Sequence, residues 1–87
     1  MANLYITDAV KKQMVDSIEF AKDVAESLVK FGNKDWGECC EEDIKANNEA
    51  LRLKERIVAI YKTINGRIHI IYDNNHTTIT VMFTHEY

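Results

Sequence analysis

The sequence predicts an α+β fold in which two N-terminal helices pack on a three-stranded antiparallel β-meander. Apolar residues recur every three or four positions up to about residue 54 and every second position from residue 56 onward. The first spacing is typical of amphipathic helices and the second of half-buried strands. The pairs Asn65-Gly66 and Asn74-Asn75 divide the second half into three strand-length segments. We expect one domain, residues 1–87, with a helical half over 7–54 and an antiparallel sheet over 56–84.

The first predicted helix begins near Thr7 or Asp8, either of which can cap it by accepting a backbone N–H. It ends at Gly32-Asn33, since glycine adopts the left-handed conformation that terminates many helices. The spacing predicts one amphipathic helix of about six turns. Its expected core stripe contains Val10, Met14, Ile18, Ala21, Val24, Ala25, Leu28 and Phe31.

A connection over residues 33–40 precedes the second predicted helix, which runs from about Glu41 to Lys54. Ile44, Ala50 and Leu51 supply its apolar positions. Three acidic residues open the helix, where negative charge complements the helix dipole. Two asparagines in its middle are poor helix formers.

The three predicted strands cover residues 56–64, 67–73 and 77–84. Two-residue turns would place Tyr61 opposite Ile70 and Ile70 opposite Ile79. One face of the sheet is then nearly all apolar and should pack on the helices: Ile57, Ala59, Tyr61, Ile68, Ile70, Tyr72, Ile79, Val81 and Phe83. We call it the inner face and the opposite one the outer face.

The outer face mixes polar and apolar residues, which is unusual for a sheet face in water. Either the N-terminal residues 4–6 (Leu-Tyr-Ile) cover it, which we favour, or it meets another chain in a homodimer. The residues of this second candidate interface are Ile60, Lys62, His69, Ile71 and Met82.

Composition bounds the class of protein. Apolar residues form 46% of the 87 residues, charged residues form 29%, and the net charge is −3. These values exclude a disordered chain, and no apolar run is long enough to span a bilayer. The sequence does not begin with a signal-peptide pattern. Cys39 and Cys40 are adjacent, so a disulfide between them would be strained and would not stabilise the fold. We therefore expect a soluble protein of the reducing cytoplasm.

The acidic charge is concentrated in the first 50 residues, where 11 acidic and 6 basic side chains give a net −5. An acidic surface disfavours direct nucleic-acid binding and favours basic protein partners. A solvated helix surface explains the charge more simply, and a lone tryptophan in a connection, here Trp36, more often closes the core. The candidate partner-binding residues are Asp35, Trp36, Glu38, Glu41, Glu42 and Asp43.

No motif for catalysis, phosphate binding or zinc binding is present. His69, His76 and His85 with the acidic cluster are the residues that acid–base chemistry would need, but no flanking pattern supports that use. We expect no catalytic residue, no metal and no cofactor, hence a non-enzymatic protein. A metal-dependent hydrolase that uses the acidic cluster and the histidines stays open as the less favoured alternative.

Residues 35–87 contain an ordered series of short motifs. They are Asp35-Trp36-Gly37, Glu42-Asp43, Asn48-Glu49-Ala50-Leu51, residues 56–61, Ile68-His69-Ile70-Ile71 and residues 80–87. The series resembles a family of small bacterial proteins carried by phages, plasmids and integrative elements, often described as plasmid-related or type I restriction–modification-associated proteins. This chain departs from the family pattern at Glu55, His69 and Thr84, where the family has glycine, tryptophan and proline.

The resemblance implies a mobile-element origin and no established activity. By analogy with other small acidic α+β phage proteins, we expect an anti-defence inhibitor, anti-CRISPR-like or anti-restriction, in the cytoplasm of a bacterial host. Its partner would be a Cas or restriction complex, without direct contact to nucleic acid or membrane. The alternative is a small accessory subunit that self-associates through its sheet.

Overall fold

The computed structural model describes residues 2–87, so Met1 of the predicted domain lies outside it. The elements, in chain order, are β1 (Asn3–Ile6), α1 (Asp8–Asp16), α2 (Ile18–Gly32), α3 (Glu41–Leu53), β2 (Ile57–Thr63), β3 (Gly66–Tyr72) and β4 (Thr78–Phe83). The α+β class is confirmed, with one helix and one strand more than predicted. Within the described residues, no helix combines the length and apolar character needed to cross a membrane.

Ser17 divides the predicted first helix into α1 and α2. Its backbone is extended, with φ −143°, and its hydroxyl accepts the N–H of Phe20 at 3.2 Å. The single six-turn helix is therefore wrong, because a serine that caps a new helix interrupts the first. The break also changes the helical phase: Phe20 is fully buried, whereas Ile18, expected in the core, is 76% exposed.

The sheet has the strand order β1-β4-β3-β2, and β1 runs parallel to β4. Residues 4–6 thus extend the sheet at its edge, and the prediction that they cover the outer face is wrong. The N–H of Asn3 donates to the Thr77 carbonyl at 2.9 Å, and that of Thr7 donates to the Val81 carbonyl at 3.1 Å. Pairing satisfies backbone groups that a segment lying across the face would leave unbonded.

The antiparallel β2-β3-β4 meander is present, but each predicted register shifts by two residues. Tyr61 pairs with Ile68, and Ile70 pairs with Val81. The first turn has Ile64-Asn65 at its centre and places Gly66 at φ +103°, instead of centring on Asn65-Gly66. A shift of two leaves every side chain on its predicted face, because strand side chains alternate with a period of two.

The second turn is longer than the predicted two residues because Asp73 organises it. The Asp73 carboxylate accepts the N–H groups of Thr77 and Thr78, each at 2.8 Å, and the Thr77 hydroxyl at 2.7 Å. These hydrogen bonds hold the pKa of Asp73 below its ordinary value. Asn74–His76 form a short 3₁₀ turn between Asp73 and Thr77.

The core lies between the inner face of the sheet and the helices. The ring of Phe20 stacks on that of Phe83 with centroids 5.6 Å apart, and Phe31 meets Tyr72 edge to face. The buried apolar residues are Val10, Phe20, Val24, Phe31, Trp36, Ala50, Ile57, Ala59, Tyr61, Ile68, Ile70, Val81 and Phe83.

The outer face is shielded in part by the C-terminal segment, residues 84–87. The ring of Tyr87 stacks on that of His69 at 4.6 Å, and the Thr84 hydroxyl lies 3.0 Å from His69 Nδ1. Burial, aided by the positive charge of Arg56, lowers the pKa of His69. His69 is therefore a covered side chain and not part of an open sheet surface.

Candidate functional site

Residues 36–38 pair with the free edge of β2 like a short additional strand. Gly37 forms a parallel bridge with Ile60. The N–H of Glu38 donates to the Ile60 carbonyl at 2.7 Å, and the N–H of Ile60 donates to the Trp36 carbonyl at 3.3 Å. Gly37 has φ +72°, and a Cβ there would collide with the Ile60 carbonyl oxygen and the Tyr61 ring. Only glycine fits this approach, so the acidic connection is fixed against the sheet.

Trp36 belongs to the core and not to the exposed surface. It is 3% exposed, and its ring meets that of Phe31 edge to face at 5.4 Å. Its indole N–H donates to the Asn48 side-chain oxygen at 2.9 Å. The structure therefore places this predicted partner-binding residue where a partner cannot reach it without local unfolding, and agrees with the alternative that it closes the core.

A cleft of about 340 Å³ lies between α2, the connection and β2. We call it the acidic cleft, because four carboxylates and two ammonium groups line it. Its lining residues are Asp23, Glu26, Ser27, Lys30, Asp35, Gly37, Glu38, Tyr61 and Lys62. Two of the predicted residues, Asp35 and Glu38, thus meet two acids of α2.

Hydrogen bonds hold three side chains of the cleft in place. Asp23 accepts the N–H of Ile64 at 2.8 Å, and the Asp35 carboxylate accepts the N–H of Gly37 at 3.0 Å. The Tyr61 hydroxyl donates to the Asp35 carbonyl oxygen at 2.7 Å. Burial, with the nearby Asp35 charge, raises the pKa of Tyr61 well above its ordinary value, so this hydroxyl stays a donor. The cleft is therefore built on a preorganised frame.

Glu38 lies at the rim of the acidic cleft and also contacts Arg67 of β3. Its carboxylate accepts a hydrogen bond from the Arg67 guanidinium at 2.7 Å. That bond lowers the pKa of Glu38. Both side chains are exposed to solvent, at 40% and 61%, so the pair contributes little stability.

Glu41, Glu42 and Asp43 form the first turn of α3 and are exposed. Ion pairs in the described part of the chain join Arg52 to Glu49 and Arg67 to Glu38, and none involves these three acids. They do not line the acidic cleft. The six predicted partner-binding residues therefore separate into a buried tryptophan, two cleft acids and three acids at the start of α3.

The second candidate interface is also divided. His69 and Ile71 are buried, with 6% and 8% of their surfaces exposed. Ile60 and Met82 are half-buried, and Lys62 is exposed and lines the acidic cleft. The five residues therefore do not present one continuous open surface.

Cys39 is half-buried, and Cys40 is exposed. The Cys39 sulfur lies 3.2 Å from the Trp36 carbonyl oxygen. Burial raises the pKa of the Cys39 thiol, which disfavours the thiolate that nucleophilic or metal chemistry needs. Across residues 2–87, no group of three or more His, Cys, Asp or Glu side chains is placed to hold a metal ion. The hydrolase alternative therefore has no assembled ligand set in that range.

Sequence reasoning missed Asp23, Glu26 and Asn47. Asp23 and Glu26 are three positions apart on one helix, a spacing that places them side by side, but nothing local shows which strand they face. Asn47 is 6% exposed and bonds the backbone of Val58. Its place in mid-helix, where asparagine is unfavourable, was the available signal.

No protein-family model, no curated protein and no solved structure matches this chain.

Proposed function

We propose that this protein is a non-enzymatic interaction protein whose acidic cleft binds basic side chains of a nucleic-acid-handling protein. The observation that carries the proposal is the convergence of Asp23, Glu26, Asp35 and Glu38 on one cleft. The resemblance of residues 35–87 to proteins of phages and plasmids supports a mobile-element origin. The partner is then a Cas or restriction complex, and the effect is inhibition of host or competitor defence.

The charges of the cleft favour a cationic occupant. Four carboxylates and two ammonium groups give the lining a net charge of −2. Lysine or arginine side chains of a groove that normally holds phosphates match that charge, and carboxylates can accept two parallel hydrogen bonds from a guanidinium. A protein that occupies such side chains prevents the same groove from holding nucleic acid.

The exposed acids at the start of α3 act at longer range. Glu41, Glu42 and Asp43 have no ion-pair partner in the described part of the chain. Unpaired surface charges raise the rate of association with an oppositely charged partner and make it sensitive to salt. We assign the α3 acids to steering and the cleft acids to short-range contacts.

A matched pair of charge-reversed proteins tests the proposal. The first carries Glu26→Lys, Glu41→Lys and Glu42→Lys, and the control carries Asp16→Lys, Glu19→Lys and Glu55→Lys. All six residues are exposed, and the two proteins have the same net charge. Asp23, Asp35 and Glu38 are kept because they make the hydrogen bonds described above.

Tagged wild-type protein and both variants are used to capture partners from a lysate of defence-proficient bacteria, with mass-spectrometric identification. The affinity of the purified pair is then measured at 50 and 200 mM salt. We expect a Cas or restriction component with wild type and control, and at least about tenfold weaker binding for the first variant. Equal binding by both variants would contradict the role of the acidic surface. Recovery of no nucleic-acid-handling protein by the wild type would contradict the proposed partner class.

A further inference from the structure

The free edge of β1, on the side away from β4, has backbone groups that form no hydrogen bond with another part of the described chain. Asn3 and Thr7 donate their N–H groups to β4, at the Thr77 and Val81 carbonyls. In a parallel pair, alternate residues face the neighbouring strand, so Leu4 and Ile6 direct their N–H and C=O groups away from β4. Over residues 2–87, no turn, cap or side chain bonds these two N–H groups.

The strand itself lacks the devices that usually prevent strand pairing. Residues 2–7 contain no charged side chain and no proline. Leu4 and Tyr5 are each 54% exposed. Charges, prolines and bulges are the common means of blocking an exposed edge, and their absence makes β1 a template for another strand.

We propose that β1 pairs antiparallel with β1 of a second copy of this chain, with the Tyr5 residues of the two copies opposite each other. In that register Leu4 of each copy lies opposite Ile6 of the other. Residues opposite each other at such positions exchange both N–H···O bonds, so the outward groups of Leu4 and Ile6 are all bonded. The two copies are related by a two-fold axis, so each contributes the same edge to the interface.

Side chains favour a second copy at this edge, although Lys11, whose ammonium lies 5.9 Å from the Tyr5 ring centroid, brings one positive charge from each copy near the seam. Leu4 meets Ile6 on the inner-face side and Tyr5 meets Tyr5 on the outer-face side, and such cross-strand pairs stabilise sheets. The chain has a net charge of −3, but residues 2–7 contain no charged side chain, so pairing brings no like charges opposite each other within these residues. The β2 edge is rimmed by Asp23 and Glu38, which would repel the same residues of another copy.

The expected dimer is weak. Edge pairing over four or five residues buries less area than the roughly 1,200 Å² of a standard stable interface. We expect dissociation constants in the micromolar to millimolar range and a continuous eight-stranded sheet. The acidic cleft lies at the opposite edge, so the dimer leaves both clefts open.

Sedimentation equilibrium from about 10 μM to 1 mM tests the interface with three variants. Leu4→Pro removes the outward N–H without removing a bond to β4, whereas Leu4→Ala keeps that N–H. Met82→Asp alters the outer face, where self-association was the sequence-based alternative. We expect a wild-type dimer, at least about tenfold weaker association for Leu4→Pro than for Leu4→Ala, and no change for Met82→Asp.

Circular dichroism and thermal unfolding verify that each variant is folded. A wild type that stays monomeric would overturn the proposal, as would a dimer that Leu4→Pro leaves intact. Loss of the dimer in Met82→Asp alone would move the interface to the outer face.

Cysteine crosslinking tests the register independently of any loss of stability. In a Cys40→Ser background, Tyr5→Cys places two thiols at a non-hydrogen-bonded pair, where Cα atoms are about 4.5 Å apart. Asn3→Cys is the control, because its two copies would be roughly 14 Å apart along the strands. We expect a disulfide-linked dimer for Tyr5→Cys alone under mild oxidation. Equal crosslinking of both variants, or of neither, would contradict the register.

Discussion

Along the edge of β2 and the turn that follows it, three separate parts of the chain bond the outward backbone groups of Val58, Ile60 and Ile64. Asn47 of α3 bonds the N–H and carbonyl of Val58, residues 36–38 bond those of Ile60, and Asp23 of α2 accepts the N–H of Ile64. Along the edge of β1, the corresponding groups of Leu4 and Ile6 have no such partners within residues 2–87. One edge is closed by side chains and a paired loop, and the other is left able to pair.

The acidic connection, residues 33–40, has two roles. Its backbone closes the β2 edge, and its tryptophan enters the core, so these parts are needed for folding. The carboxylates of Asp35 and Glu38 are left at the surface by the same arrangement. Function, in our proposal, uses the side chains that the structural role leaves exposed.

Gly37→Ala is expected to have the largest effect on the closed edge. The added methyl group would collide with the Ile60 carbonyl oxygen and Tyr61, at a backbone conformation with φ +72° that alanine disfavours. We expect the free energy of unfolding, measured by urea denaturation, to fall by at least about 3 kcal/mol.

Gly66→Ala is the matched control for this prediction. Gly66 also has a positive φ, +103°, but nothing lies within 4 Å of a Cβ placed there. Only the conformational cost remains, about 1–2 kcal/mol. Similar losses for Gly37→Ala and Gly66→Ala would show that residues 36–38 are not held against β2 in solution.

Asn47→Ala is expected to have the next largest effect. It leaves the Val58 N–H without a partner at a part-buried edge and leaves the Val58 carbonyl only the weak Cys39 thiol, 3.5 Å away, which costs about 2–3 kcal/mol. The neighbouring Asn48→Ala removes one hydrogen bond, to Trp36, and should cost about 1 kcal/mol. Urea denaturation of both variants measures the difference, and an Asn47→Ala loss no larger than that of Asn48→Ala would refute edge closure by Asn47.

The smallest expected effect on stability comes from His69, which lies on the outer face between the two edges. Burial lowers the pKa of His69 in the folded state, so the unfolded chain binds its proton more readily. Stability should therefore fall as the pH decreases below the ordinary histidine value of about 6.5. Urea midpoints at pH 7.5 and 5.5 should differ more for the wild type and His85→Gln than for His69→Gln. An undiminished pH dependence in His69→Gln would show that the C-terminal segment does not cover this residue.

The alternation of the strands predicted which residues face the core, although it could not set the register. A shift of two residues keeps every side chain on its face, so the inner face through Ile57, Ile70 and Val81 was identified while both registers differed. The register depended on turns whose geometry comes from Asp73 and Gly66, and turn residues alone did not distinguish a two-residue loop from a longer one.

The remaining differences depend on contacts between distant residues. Residues 4–6 pair with residues 79–81, a partner that no local pattern indicates. The capping role of Ser17 was hidden by apolar residues that continue at helical spacing on both sides of it. Of the candidate site, the acidic connection was identified, whereas Asp23 and Glu26 join it only through the packing of α2 on the sheet.

The parallel pairing of β1 with β4 also determines the order in which the molecule can form. The β2-β3-β4 meander joins neighbours in sequence, but β1 must wait for a strand about 75 positions later. Closing so long a loop is entropically costly before the other contacts exist. On a ribosome, β1 would thus be synthesised before the other three strands of this sheet and dock after them, and α1 would gain its full support only after the rest of the sheet is assembled.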